Sequence, residues 1–422
     1  MSLKQKSRKD WGRLGLTSNY ETRPLGELVE FVAKGIPPKY ASEKTDETIT
    51  VLNQKTNRNF KIDYKLARLN DLSKKKVPVE KMLIANDVLI NSTGVGTAGR
   101  IVQLLSVPEP TTVDGHMIIV RADSDKINPV YLGYALKAQQ KIVENLQEGS
   151  TGQTELNRQR LLDEIEIQFP TDMEKQDKIA SLFLSLDNRI AENEKINHHL
   201  EQMAQAIFKS WFVNFEPFGG NAPLEWNEVD FDEISTVQNG YAFKSKDYVS
   251  DGIRMIRTIN FDNGYVNNNN LILLPSEYYD DTKYRNFIFK KFDTVLVMVG
   301  ASVGKISLVT ELNIPSLQNQ NMWRFRTIKP EVPESFIHFH VKEINSKVRG
   351  WSSGSARDFY RKDIFKKAKI YLPTSQVLDD FSKLTTPIFD QISTNILEND
   401  RLIKTRNSLL PKLMSGEISI SD

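Results

Sequence analysis

The chain has 422 residues, 39% of them hydrophobic and 26% charged, with a formal net charge of +2: ordinary globular values in a chain too long for a single core. It contains no cysteine, which excludes a disulfide framework and a thiolate metal site and fits a reducing, cytoplasmic setting. No apolar run approaches the roughly 18 residues of a membrane span, and the opening MSLKQKSRKDWGRLGL lacks the apolar stretch of a signal peptide, so no membrane partner is expected.

Residues 1–20 read as a basic tail. Residues 21–173 read as short strands broken by glycine, proline and asparagine, with strand-like runs at 48–52, 87–91, 100–105 and 117–121. One helix is predicted over 129–147, opened by Asn128 ahead of a proline and closed by Gly149, which makes the domain α+β. A long helix over 174–215 follows, stopped by Pro217, Gly219 and Gly220. Its heptad seam runs Ile179, Phe183, Leu186, Ile190, Asn193, Asn197, Leu200, Ala204, Ile207 and Trp211.

Residues 216–373 repeat the plan. DVLINSTG at 87–94 meets DTVLVMVG at 293–300 with a separation of 206, Pro129 meets Pro333 at 204, and Pro170 meets Pro373 at 203. The drift is that of loop deletions in a duplicated unit. A second long helix over 374–415 carries the seam again as Phe381, Thr385, Ile388, Ile392, Asn395, Asn399, Leu402, Arg406, Leu409 and Leu413, before a tail at 416–422. One apolar stripe cannot bury itself, so the two seams are expected to bury each other. The expected pairing residues are Leu186, Ile190, Asn193, Asn197, Leu200 and Ile207 against Ile388, Ile392, Asn395, Asn399, Leu402 and Leu409.

Gly94, Gly96 and Gly99 form a GxGxxG after a strand, but a dinucleotide site needs a helix next, and the following residues read as a strand. The stretch is therefore read as a glycine turn. Arg100 and Lys305 follow the turn in the two copies, and backbone N–H groups beside a cation suit a phosphate, which makes Thr93, Gly94, Gly96, Thr97, Arg100 and Lys305 candidates for DNA contact. A polar loop after each domain's own helix adds Ser150, Thr151, Gly152, Gln153 and Arg158 in the first copy, and Ser352, Ser353, Arg357 and Arg361 in the second. Residues 349–369 hold seven basic residues against two acidic ones, a patch that could meet phosphates. His338 and His340 lie two apart on a predicted helix and do not face one another, so no metal is expected there. His198 and His199 are read as packing or surface residues. No P-loop, HExxH, GxSxG or adenine-methyltransferase motif is found, so no catalytic residue is expected.

The runs DVLINSTGVGTAGRI, STGQTELNRQRLLDEIEIQFP and EKQDKIASLFLSLDNRIAENEKINHHLEQMAQAIFKSWFVNF, with weaker echoes in the second half, resemble the specificity subunit of type I restriction-modification systems. The resemblance implies two target-recognition domains, each reading half of a split double-stranded DNA site, and two helices that pack as an antiparallel coiled coil and dock two modification subunits. Antiparallel pairing would put Leu186 nearer Leu413 than Ile388. It also implies restriction subunits as partners, with S-adenosylmethionine, ATP and magnesium on those other subunits and none bound by this chain. A coiled-coil scaffold with two protein-binding domains is the alternative, and a self-sufficient enzyme comes third.

Overall fold

The run Val88–Asn91 (VLIN) is buried at every position, because it is an inner strand of a sheet covered on both faces. In this computed structural model, residues 19–148, 155–351 and 360–420 are described. They fall into two compact units, one drawn from Met1–Asn188 and Ile403–Asp422, the other Arg189–Leu402.

The main sheet of unit 1 has the antiparallel order Val29–Lys34, Met117–Ala122, Val88–Asn91, Ile101–Gln103. Period-two alternation divides its side chains between two cores. Val88, Ile90, Ile101, Ile118 and Val120 face the helices, whereas Leu89, Val102, Met117 and Ile119 join Leu52 and Val113 beneath the second sheet. That second sheet contains Thr111–Val113, Thr48–Leu52, Arg68–Asp71 and Tyr40–Ala41. The unit's ends are clasped by Tyr20–Pro24 against Glu166–Pro170.

The helix predicted over 129–147 is two pieces, α1 (Pro129–Ala138) and α2 (Gln140–Glu144). Gln139 leaves helical geometry between them, and the Gln140 Oε1 turns to accept the Ile101 N–H at 3.0 Å. Residues Gln147–Glu148 then pair with Glu155–Leu156 as strand, ahead of α3 (Arg158–Glu164).

Unit 2 keeps the plan with a larger main sheet and a smaller second one. Its main sheet has six strands, ordered Ser235–Asn239, Met322–Thr327, Thr294–Val297, Ile306–Leu308, Tyr265–Val266, Phe261–Asp262, and a second sheet holds Ile272–Leu274, Ile253–Ile256 and Ser316–Gln318. Asn227–Asp230 and Lys369–Leu372 clasp its ends.

The long helices are α4 (Met173–Phe212) and α7 (Ser375–Met414), with α5 (Glu334–Trp351) and α6 (Lys362–Lys366) between them. Within unit 2, Asn193 Nδ2 donates to Asn399 Oδ1 at 2.9 Å, and Asn395 Nδ2 donates to Asn197 Oδ1 at 2.8 Å. A rising number on one helix meets a falling number on the other, so the pairing is antiparallel. Leu186 accordingly packs in the cluster of unit 1 that holds Leu409, Leu410 and Leu413, while Ile388 packs in the cluster of unit 2. Among the described residues, no helix is long and apolar enough to cross a membrane.

Candidate functional site

The glycine turn joins antiparallel strands in both units, so no helix N-terminus stands ready for a pyrophosphate. Gly94, Gly96 and Gly99 have φ of 111°, 69° and 82°, and a Cβ on Gly99 would lie 2.6 Å from the Glu144 Cα. The closing hydrogen bond is the same in each copy: Gly99 N–H to Asn91 O, and Gly304 N–H to Val297 O, both 2.8 Å. Thr93 Oγ1 bonds His116 Nδ1 at 2.8 Å, Thr97 is half-buried, and Arg100 Nη2 donates to Gly96 O at 2.9 Å. Lys305 is exposed, and its ammonium donates to the carbonyl of Phe261.

Beside each turn stands a short hairpin. In unit 2 it is Phe261–Asp262 with Tyr265–Val266, turned by Asn263 and Gly264 at φ of 46° and 85°, the residue pair such a two-residue turn favours. Tyr265 bridges to Leu308, which ties the hairpin to the main sheet, and Phe261 is buried in the core beneath. In unit 1 the hairpin is Asn57–Arg58 with Lys61–Ile62, and it forms a separate two-stranded sheet. Its turn residues are Asn59 and Phe60, at φ of 51° and 59°, so a phenylalanine holds the backbone conformation that glycine holds in unit 2. Between this hairpin and the glycine turn lies a cavity of about 540 Å³, lined among others by Gln54, Lys55, Asn57, Arg58, Phe60, Thr97 and Arg100. The structure thus brings Thr97 and Arg100 together with a hairpin that pattern reading passed over. The available signal was Asn-Phe in one copy where the other has Asn-Gly.

Ser150, Thr151, Gly152, Gln153, Ser352, Ser353 and Arg357 lie outside the described residues. Arg158 is exposed in the first turn of α3, whose N-cap Asn157 accepts from two backbone N–H groups, and Arg361 is exposed at the N-cap of α6. Three of the six described basic residues at 349–369 are answered by acid across the clasp. Lys366 faces Asp232 at 3.7 Å, and Lys367 and Lys369 each meet Asp230 at 2.9 Å, because antiparallel pairing brings Asn227–Asp230 alongside. Counting charge along the chain therefore overstates the patch. His338 is buried against Thr294 Oγ1 at 3.0 Å, and burial pushes the pKa of His340 down to about 3. Among the described residues, no group of three metal-ligating side chains occurs.

On the long helices, Ile190, Asn193, Asn197, Ile392 and Asn395 are buried, and Leu200, Asn399 and Leu402 are half-buried. Arg189 forks onto Glu398 at 3.0 and 3.1 Å, and Asn193 also donates to Glu398 at 2.9 Å. In unit 1, Asp187 receives Arg406, Lys137 Nζ at 3.2 Å and the Tyr134 hydroxyl at 2.9 Å. Burial alone would raise the Asp187 pKa, but Lys137 and Arg406 together hold it below its usual range. Past Ala204 the buried stripe departs from the heptad reading: Phe208 and Phe212 are the deep residues, while Ile207 and Trp211 are only partly covered. A straight helix turns every 3.6 residues, so a 3.5-residue seam drifts, and here the helix faces a domain core.

A second repeated device is absent from any motif. Asp87 accepts Arg121 through two bonds of 2.8 Å while its Oδ2 takes the Ile84 N–H, and Asp293 accepts Arg326 at 2.6 and 2.5 Å while its Oδ2 takes the Lys290 N–H. Both carboxylates are fully buried, and bidentate pairing with a backbone donor is what lets a charge sit there.

Residues 17–202 and 223–404 each match the type I restriction modification DNA specificity domain. The MjaVIII type I restriction enzyme specificity subunit of Methanocaldococcus jannaschii is 20% identical over 99% of this chain and 97% of its own length. The HindI specificity subunit of Haemophilus influenzae is 25% identical over 58% of this chain and 68% of its own. The crystal structure of the type I restriction-modification S subunit from M. genitalium superposes with a TM-score of 0.57 at 16% identity, covering 97% of this chain and 99% of that one, so it shares the fold. Because the domain matches twice and across most of the sequence, the chain belongs to the type I restriction-modification DNA specificity family.

Proposed function

We propose that this chain is the sequence-reading subunit of a type I restriction-modification complex, in which each recognition domain reads one half of a bipartite, asymmetric DNA site. The observation that carries this reading is the duplication: one scaffold, with the same glycine turn and the same buried Asp–Arg pair, presents unlike hairpins in its two copies. Identical readers would suit a palindrome, and unlike readers suit a split asymmetric site.

The partners in this reading are double-stranded DNA, two modification subunits docked on α4 and α7, and restriction subunits. S-adenosylmethionine, ATP and magnesium belong to those partners, and this chain, acting in the cytoplasm, contributes recognition without a catalytic group of its own. The long helices act as a spacer: 40 residues each, at about 1.5 Å per residue, make a rod on the order of 60 Å. Seven residues added to both helices keep the heptad seam and should lengthen the unread spacer by about three base pairs.

The test is a genome-wide map of methylated bases with and without this subunit. Loss of one bipartite motif is the expected result, and an unchanged methylation pattern overturns the reading. Binding by the assembled complex should also weaken steeply with salt, as phosphate contacts require.

A further inference from the structure

The cavity of unit 1 contains more chemistry than a gap between two loops requires. Asn57 is buried, and its amide nitrogen donates to the carbonyl of Arg100 at 3.0 Å and to Asn91 Oδ1 at 3.2 Å. A backbone carbonyl can only accept, so the orientation of the amide is settled, and the Asn57 Oδ1 is left without a donor. Lys55 and Arg58 are exposed at the rim, Arg100 lines the wall, and none of the three meets a carboxylate among the described residues. No described lining residue is acidic. Lys137 Nζ lies over the Phe60 ring, 4.7 Å from its centroid. Phe60 is held at φ 59°, a strained conformation for an aromatic residue where its counterpart in the other unit is glycine.

We propose that this cavity is a nucleotide subsite, with phosphate met by Lys55, Arg58 and Arg100 and a planar base laid against Phe60. Cations that track a phosphate, beside an aromatic face that stacks on any base, are the equipment of strand binding. The unpaired Asn57 Oδ1 suits a base with an exocyclic amine, which would supply the missing donor. This inference rests on the DNA-reading function for its preferred source, a nucleotide of the bound half-site turned out of the base stack, while a free nucleotide shares the same chemistry. At the matching place in unit 2, Phe261 stands buried in the core where unit 1 has Asn57, and Lys305 donates to the Phe261 carbonyl.

The experiment uses the full chain assembled with its modification subunits. Anisotropy titrations of a duplex carrying its own methylated site, at several salt concentrations, compare wild type with Lys55→Ala/Arg58→Ala and with Phe60→Gly. A parallel titration uses a fluorescent deoxynucleoside monophosphate. The double variant should bind the duplex about 10- to 100-fold more weakly, with its salt slope reduced by about two. Phe60→Gly should bind about tenfold more weakly with the slope unchanged, yet melt no lower than wild type, since glycine accepts that φ freely. A purely structural Phe60 would instead lower the melting temperature and leave affinity intact. Loss of monophosphate binding with duplex binding unchanged supports the nucleotide chemistry and assigns the free ligand as its source. If neither variant changes either titration, the subsite is overturned. Should wild type fail to bind any duplex, the DNA-reading function falls, and the monophosphate arm still decides the cavity.

Discussion

The hairpins at Asn57–Ile62 and Phe261–Val266 occupy the same place in the duplicated scaffold and have opposite characters. One stands apart from its main sheet, turns through a strained phenylalanine and borders a cationic cavity. The other turns through Asn-Gly, is pinned to the main sheet through Tyr265 and Leu308, and buries Phe261 in the core. Around them the glycine turns close with the same hydrogen bond, and each sheet carries the same buried Asp–Arg fork. The shared turn and fork therefore hold interactions that folding needs, while the hairpins beside them diverge. This is the economy expected when two homologous domains must fold alike and read different sequences.

Removing the shared fork tests the common scaffold with the largest effect. Asp87→Ala and Asp293→Ala each leave a mostly buried arginine unpaired, so each should destabilise its own unit by about 3–5 kcal/mol in chemical denaturation. A loss in one unit alone would break the equivalence. The glycine turns come next. Gly99→Ala should cost about 2–3 kcal/mol, because its Cβ meets the α2 backbone at a positive φ. Gly300→Ala, with φ 91° and open space around it, should cost only about 1 kcal/mol.

A pH series separates the units further. Burial first, and then the nearby Asp293 charge, push Glu334 up to about 7, against donation from the Thr327 N–H. Its folded pKa lies above the unfolded one, so this stability is fully present below about pH 4.5 and is lost as pH rises through about 7. The loss is roughly 3 kcal/mol. Calorimetry of Glu334→Gln should show that slope flattened. Unit 1 has Val130 at the matching place and its own burial-raised carboxyl at Asp114, so Glu334→Gln should leave the slope of unit 1 unchanged. The smallest effect is expected at Lys305. Its ammonium already has a protein partner, so Lys305→Ala should lower DNA affinity by a factor of about two. Arg100→Ala, which removes a cavity cation, should cost more in the same titration.

The tandem plan, the strands near 48–52, 87–91, 100–105 and 117–121, the two long helices and the absence of a helix after the glycine turn were legible in the residues alone. Each of these rests on local periodicity, turn chemistry or self-similarity, which a linear reading contains. The heptad seam was legible wherever helix meets helix, as at Ile190, Asn197 and Asn395. It failed past Ala204, where a domain core rather than a partner helix chooses which side chains are buried, and Phe208 and Phe212 take over. Tertiary structure alone decided that Lys366, Lys367 and Lys369 face Asp230 and Asp232, since strand pairing joins residues well over a hundred positions apart. It alone placed Asp87 on Arg121 and assembled Gln54, Lys55, Asn57, Arg58 and Phe60 with Arg100 around one cavity. Charge and hydrogen-bond complementarity act through space, so their partners become visible only once the backbone has brought distant segments within a few ångströms.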